Sequence, residues 1–386
     1  MTIAGIIAEY DPFHRGHAWH VSETRRITGC DWVVACMAGH FTQRGEPALW
    51  SKWARARMAL TSGVDAVFEL PALWAVRPAD AFARGGVAVL GGLGCDVLSF
   101  GSETADLALL RRLAALRANE PAELSRSIRE KLDGGLSHAR ARGEAVAELL
   151  GLAPETVNRP NLILAAEYLR AIEAGGYAMT PVAVKRVGDY HDDEAVGPFA
   201  SATAIRGAFL RGDAEAALKA MPVPVRPDAL HPMDDLLLHA LRGMRADQLA
   251  ALPDVSEGLE HRLHDACRLA STREGLLDAL KCKRYTRARL SRTLTHALLG
   301  MDRAFTDAHP APTWARLLGV RAGAEPLLKE LSQRAALPVV TRAAELRGDP
   351  VFELECRATD TWALLHDAPE LRVMGREYTE KFLKQS

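Results

Sequence analysis

The opening seventeen residues constrain this chain more than any other stretch. Thr2 to Ala8 is an almost unbroken apolar run, the pattern of a strand buried on both faces of a parallel sheet. It passes directly into Glu9-Tyr10-Asp11-Pro12-Phe13-His14-Arg15-Gly16-His17, and a helix is predicted to start near Ala18. Three further short apolar runs follow at Trp32 to Met37, Ala66 to Leu70 and Val97 to Phe100. Amphipathic stretches of crossover-helix length, such as Lys52 to Ser62 and Ala79 to Leu90, lie between them. This alternation predicts a doubly wound, Rossmann-like α/β unit.

The polar residues gather where the strands end. Asp11 to His17 follows the first run, His40 to Glu46 the second, and Gly101-Ser102-Glu103 the fourth. Open parallel sheets bind ligands beyond the carboxyl ends of their strands, so three loops should converge on one cleft. Farther along, Asp106 to about Leu152 reads as helical. Asn161 to Ala174 reads as another helix, with Asn158 as its cap and Pro160 in its first turn. Val182 to Arg186 is expected to be a fifth strand, followed by the polar loop Gly188-Asp189-Tyr190-His191-Asp192. Ser201-Ala202-Thr203 then opens a helix that carries Arg206. Pro222, Pro224, Pro227 and Pro232 mark a linker. Beyond it the chain reads as helical, apart from a short strand near Pro338 to Thr341. The expected organisation is an α/β domain over residues 1–220 and a mostly helical domain over residues 221–386.

Composition narrows the function classes. A formal net charge of −1 over 386 residues gives no bulk attraction to nucleic acid or membrane, so a polyanion site must be a local patch. Six cysteines show neither C-x-x-C nor finger spacing and read as reduced thiols, which suits the cytoplasm. The N-terminus lacks the basic start of a signal peptide, and no apolar run reaches the roughly 18 residues of a membrane span. Neither a membrane nor a protein partner is expected, nor a resident metal. The P-loop, G-x-G-x-x-G, H-E-x-x-H and G-x-S-x-G motifs are absent.

The remaining candidates concern anions. In His14-Arg15-Gly16-His17, glycine permits close backbone approach and the coming helix N-terminus favours a phosphate. Two imidazoles three residues apart can then donate to its oxygens. A histidine-rich loop with weak metal affinity, helped by His20, is the plainer interpretation. Arg44 can clamp a phosphate or a carboxylate, or sit in a solvated turn. Gly101 can admit a nucleobase or ribose against the backbone. Arg186 and the Ser201–Thr203 helix start with Arg206 form a second anion site, unless they are a cap and a surface arginine. From Lys281 to Arg292 the chain is basic with no acidic residue, and Tyr285 sits among the charges. That combination fits RNA phosphates and a stacked base, or a solvated helix face.

With those residues in view, the chain resembles the tRNA(Met) cytidine acetate ligase family of the H-x-G-H nucleotidyltransferase superfamily. The resemblance runs from Gly5 to His17, through Phe41-Thr42-Gln43-Arg44-Gly45-Glu46-Pro47, Glu69-Leu70-Pro71 and Phe100-Gly101-Ser102-Glu103. It continues at Asn161, Glu167-Tyr168-Leu169, Arg186 and Ser201-Ala202-Thr203-Ala204-Ile205-Arg206, and ends at Lys283-Arg284-Tyr285-Thr286, Arg289 and Trp314 to Gly319. It implies a nucleotidyltransferase fold that uses ATP with Mg²⁺ and acetate to form acetyl-adenylate. The acetyl group would then pass to N4 of the wobble cytidine of elongator tRNA(Met).

By the same resemblance, ATP would be lined by Ile7, Ala8, Glu9, Tyr10, Asp11, Pro12, Phe13, His14, Arg15, Gly16, His17, Ala18, Trp19 and His20, with Gly101, Asn161, Arg186, Ser201 and Thr203. His14, His17 and Arg206 would be catalytic, and Lys283, Arg284, Tyr285, Arg287 and Arg289 would meet tRNA. Three positions depart from the family pattern. Asp11 and His40 stand where Asn is usual, and Ser51 where an acidic residue is common. Two other readings of the residues stand beside this one: an adenylyltransferase acting on a small phosphorylated metabolite, and a non-catalytic RNA-binding protein with a degenerate nucleotide pocket.

Overall fold

In the computed structural model, which describes residues 1–186, 200–228 and 231–385, five parallel strands form the centre of the molecule. They are β1 (Ile3–Ala8), β2 (Trp32–Ala38), β3 (Ala66–Leu70), β4 (Val97–Ser102) and β5 (Thr180–Lys185). Their spatial order is β5-β4-β1-β2-β3, so the strand order reverses at β1. The loop at residues 188–192 lies outside the described residues.

Both faces of the sheet are apolar because successive side chains alternate. Val33, Ala35 and Met37 pack on one side with Val21 of α1 (Arg15–Thr28), Met58 of α2 (Lys52–Thr61) and Ile205 of the Ala202–Leu210 helix. Val34, Cys36 and Ala38 pack on the other with Phe82 and Leu90 of the Ala79–Gly92 helix and Leu162 of the Pro160–Ala174 helix. This is the doubly wound arrangement the alternating runs predicted. No helix of the described residues is long and apolar enough to cross a membrane.

Some boundaries differ from expectation. Asp106 to Leu152 resolves into three helices, Leu107–Ala118, Ala122–Asp133 and His138–Leu150. Asn158 closes the short Pro154–Val157 helix, and Arg159 stands at the N-cap of Pro160–Ala174. The far half of the chain is also less helical than its pattern suggests. β6 (Ala315–Arg321) pairs antiparallel with β3, and β7 (Val339–Val340) and β8 (Leu383–Gln385) pair with β6. The run Trp314 to Gly319 is interrupted by Arg316, which hides its strand character in a one-dimensional reading.

Arg316 is in fact buried. With Lys52 at the start of α2 it neutralises a cluster of three buried carboxylates, Glu69 on β3, Glu355 on the Pro350–Ala363 helix and Glu377. Lys52 Nζ donates to all three, at 3.2 Å for Glu355, while the other Glu355 oxygen accepts the backbone N–H of Ala72 at 2.7 Å. Burial, and then the neighbouring Glu69 carboxylate, push the Glu355 carboxyl up to about 8; Lys52 and Arg316 hold Glu377 at about 2 against the opposing effect of burial. Burial thus favours the neutral form of Glu355, while the two cations hold Glu377 ionised.

Candidate active site

The site is built where β1 hands over to α1. Tyr10 takes a φ of 51°, a left-handed conformation unfavourable for a residue with a side chain, and turns the chain sharply off the strand. His14 is the N-cap of α1: its Nδ1 accepts the N–H of Gly16 at 3.1 Å. His17 reaches back, its Nδ1 accepting the N–H of His14 at 3.3 Å. Together they form a capping box with imidazoles in the roles of Ser and Glu. The two rings stack with centroids 3.7 Å apart, and Tyr10 packs edge-on against His17. Gly16 is required by this packing, since a Cβ there would lie 2.9 Å from Cε1 of His14.

This geometry fixes the chemistry of the pair. A neutral imidazole whose Nδ1 accepts carries its proton on Nε2. Burial, with Arg186 and Arg206 nearby, pushes His14 down to about 3, and burial with His14 and Arg186 holds His17 well below the usual histidine range. His20, likewise lowered to about 4 by burial and Arg186, bonds Ser99 on β4 at 3.0 Å. His14 and His17 are thus neutral Nε2–H donors at neutral pH, and the helix bears no acidic residue in its first turn to compete with an anion.

A cavity of about 910 Å³ opens over this turn. Its wall includes Gly101, Asn161 and Arg186 from the β4 and β5 side, and Ser201 and Arg206 from the Ala202–Leu210 helix and its N-cap. Asn161 links Glu103, at 2.9 Å, to Arg186, at 3.4 Å. Ser201 caps the Ala202–Leu210 helix through the N–H of Ala204 at 3.0 Å. Arg206 donates to the backbone carbonyl of Asp11, bridging that helix to the turn after β1. The three strand-end loops converge as expected.

The opposite half of the cavity lies over β1 and β2. Its wall carries Glu9, Gln43 and Arg44, together with Thr286, Ala288 and Arg292 from the Arg287–Leu299 helix and its N-cap. Glu9 Oε1 accepts the N–H of Gln43 at 2.6 Å, and burial raises the Glu9 carboxyl despite that bond and the nearby Arg206 and Arg44. Gly45, at φ 70°, lets this loop press onto the helix, because a Cβ there would meet the backbone of Ser291 and Arg292 at 2.6 Å. Residues nearly 250 positions apart thereby share one wall.

Of the expected nucleotide-lining residues, Ile7, Ala8, Tyr10, Asp11, Gly16, Trp19 and His20 also reach the cavity, whereas Pro12, Phe13, Arg15, Ala18 and Thr203 are not on its wall. Phe13 is core, and Arg15 donates to the carbonyl of Lys219. Thr203 Oγ1 instead meets Arg206 at 3.4 Å. Asp11 is buried; its Oδ1 accepts the N–H of Leu49 at 3.0 Å. His40 and Ser51 are both structural. His40 bonds Thr359 at 2.9 Å and accepts the Lys52 N–H at 3.4 Å, and Ser51 caps α2. Among the described residues, His40, Glu355 and Glu377 are the one group spaced to hold a metal ion, and the Lys52 ammonium already sits against both carboxylates.

The basic segment needs correction. Tyr285 is 3% exposed, with its hydroxyl on the carbonyl of Ser256 at 2.9 Å, so it offers no face to a base. Arg289 lies over its ring and donates to the carbonyl of Asp254, and Arg287 pairs with Glu274 and Asp278. Lys281, Lys283 and Arg284 remain exposed. Sequence reasoning missed Phe82, Tyr168 and Arg292 as cavity residues. The first two read as ordinary core positions, and only the fold brings Arg292 to the strand ends.

The chain matches the family model described as HIGH Nucleotidyl Transferase over residues 1–376. It is 37% identical to the tRNA(Met) cytidine acetate ligase of Bacillus subtilis, across 96% of this chain and 94% of that protein. With the tRNA(Met) cytidine acetate ligase of Acetivibrio thermocellus it shares 33% identity, across 99% and 100%. The crystal structure of apo Thermotoga maritima TmcAL superposes over the whole of both chains with a TM-score of 0.91 at 29% identity. A second form of that protein, bound with alpha-thio ATP, gives 0.88 at 30% identity, again over the whole of both chains.

Proposed function

Because the chain belongs to the HIGH nucleotidyl transferase family, and within it to the tRNA(Met) cytidine acetate ligases, we propose that it uses ATP and acetate to acetylate N4 of the wobble cytidine of elongator tRNA(Met). The observation that carries the chemistry is the stacked His14–His17 pair. Both Nδ1 atoms are engaged, which leaves two neutral Nε2–H donors on the cavity wall at a helix N-terminus.

The α-phosphate sits over these donors, its charge further balanced by Arg186 and Arg206. Adenine and ribose take the β4 and β5 side against Gly101 and Asn161, and the β- and γ-phosphates face Ser201 and Arg206, with Thr203 behind them against the Arg206 guanidinium. An acetate oxygen attacks the α-phosphorus, the bond to the β-phosphate breaks, and pyrophosphate leaves with acetyl-adenylate retained. Such a transfer asks the protein for placement and charge stabilisation more than covalent help. Mg²⁺ would travel on the triphosphate. The wall carboxylates Glu9 and Asp11 lie among Arg206, Arg44 and Arg55, a cationic setting that does not fit a dedicated divalent site, and no step is assigned through the ion. The exposed Lys281, Lys283 and Arg284 are the proposed tRNA contacts of the basic segment. The free thiols, all buried except the partly buried Cys282, suit the reducing cytoplasm.

The test incubates the protein with ATP, Mg²⁺, labelled acetate and tRNA, then digests the RNA and looks for N4-acetylcytidine. Labelled nucleoside with matching AMP release is the expected result; AMP joined to a metabolite, or RNA binding without ATP turnover, would refute the ligase reading. His17→Ala should cut AMP formation by on the order of 10²–10³-fold, the usual loss for one positioned donor, with tRNA affinity close to wild type.

A further inference from the structure

A cytosine exocyclic amine is a poor nucleophile because its lone pair is delocalised into the ring. As it attacks a carbonyl it gains positive charge and must lose a proton. The ligase reading assigns donors for the phosphates, but none of those groups accepts this proton: His14 and His17 both present N–H to the cavity. The sheet topology indicates where the acceptor should be. Of the proposed nucleotide residues, Gly101, Asn161 and Arg186 lie on the β4 and β5 side of the reversal at β1, while His14, His17 and Arg206 gather at the end of β1 itself. The cavity continues to the other side, over β1 and β2, where the Arg287–Leu299 helix closes it.

We propose that this second half of the cavity is the subsite of the acceptor pyrimidine, and that Glu9 is the base that takes the proton from its attacking amine. The inference rests on the ligase reading above. Glu9 is held at the end of β1 by the N–H of Gln43 on Oε1, which leaves Oε2 for a donor inside the cavity. A carboxylate is the natural acceptor for the N4 amino group of cytosine. Arg292, whose guanidinium is pinned by the Gln43 carbonyl at 3.5 Å, offers a cation for the ring carbonyl O2, and Phe82 supplies an apolar wall.

In the step itself, N4 forms a bond to the acetyl carbon and the carbon–oxygen bond to the AMP phosphate breaks. AMP leaves with that electron pair, and one N4 proton passes to Glu9 Oε2. The groups facing Glu9 are Arg206, Arg44 and Arg55, which favour its ionised form, and Asp11 and Tyr168, which do not; burial outweighs them and raises its pKa. Transfer should therefore quicken as pH rises through the Glu9 titration.

Two half-reactions separate the roles. Acetate-dependent ATP–pyrophosphate exchange reads adenylate formation, and single-turnover transfer from preformed acetyl-adenylate to tRNA(Met) reads the second step. Glu9→Gln keeps an acceptor for the Gln43 N–H. It should slow transfer about 10²-fold or more beyond any change in its own exchange rate, and abolish the rise with pH. Glu9→Asp, which keeps a base of shorter reach, should recover part of the transfer rate and the pH response. Equal losses in both half-reactions, or a Glu9→Gln variant with the wild-type pH response, would overturn the assignment. A wild-type protein without acetate-dependent exchange would instead overturn the ligase reading beneath it.

Discussion

Arg206 donates Nη1 to the backbone carbonyl of Asp11 at 2.6 Å, while the Asp11 carboxylate stays 3.9 Å from the same nitrogen and is occupied by the N–H of Leu49. The acid, at a position where the sequence resemblance leads one to expect asparagine, is therefore buried at the cavity wall between Arg206 and Arg55. Asp11→Asn keeps the acceptor for Leu49 and the carbonyl for Arg206 while removing a buried negative charge beside the proposed phosphate site. Calorimetry should show ATP binding several-fold tighter, with stability changed by less than about 1 kcal/mol. Asp11→Ala strands the Leu49 N–H and should cost about 1–3 kcal/mol. Weaker ATP binding by the asparagine variant would mean that the carboxylate serves the ligand directly.

The Lys52 cluster should dominate stability. Lys52→Met fills similar space but leaves Glu69 and Glu377 buried with Arg316 as their main cation. Breaking a buried network on one side typically costs about 3–5 kcal/mol. Urea unfolding should show that loss, because the cluster ties α2 and β3 to the Pro350–Ala363 helix and to Glu377. A loss below about 1 kcal/mol would show that the carboxylates neutralise without the lysine.

The contrast between these two sites explains what the sequence could and could not disclose. The turn from Glu9 to His17 is local: strand, glycine, histidine pair and helix start are contiguous, so the chemistry is legible in one line of text. The pairing of Lys52 with Glu355 spans 303 residues, and no pattern near Lys52 distinguishes it from a solvated helix residue. Arg316 likewise disguises β6, because a charge in an apolar run ordinarily signals a surface. Glu9 was visible as a residue of the turn, but its place opposite the Arg287–Leu299 helix depends on packing across the whole chain.

The pH dependence of stability follows from two opposed groups. His14 and His20, lowered to about 3 and 4, stay neutral in the fold while an unfolded chain would protonate near 6.5. The unfolded state thus binds more protons below that value, and stability falls as pH drops from about 6.5 toward 4. Glu355 acts in reverse. Its folded value of about 8 lies above the ordinary 4.5, so its contribution is complete below 4.5 and disappears as pH rises to 8. Melting temperatures of wild type and Glu355→Gln, measured between pH 5 and about 8.5, should diverge, with the wild type losing ground as pH rises. A constant difference would mean that Glu355 is ionised throughout.

The basic segment offers a division of labour that binding data can test. Lys283 and Arg284 are exposed, whereas Tyr285 and Arg289 hold the loop around Asp254 and Ser256. If the two exposed cations meet phosphates, Lys283→Ala with Arg284→Ala should weaken tRNA binding and flatten its salt dependence by about 0.7–0.9 logarithmic units per lost contact. Adenylate formation should be unaffected, since neither side chain lines the cavity. Tyr285→Phe removes only a buried hydroxyl that bonds a backbone carbonyl. Its effect should therefore be a lower melting temperature, about 1–3 kcal/mol in stability, with the salt slope unchanged. A flattened slope for the tyrosine variant, or an unaltered one for the double variant, would move the RNA contact away from this segment.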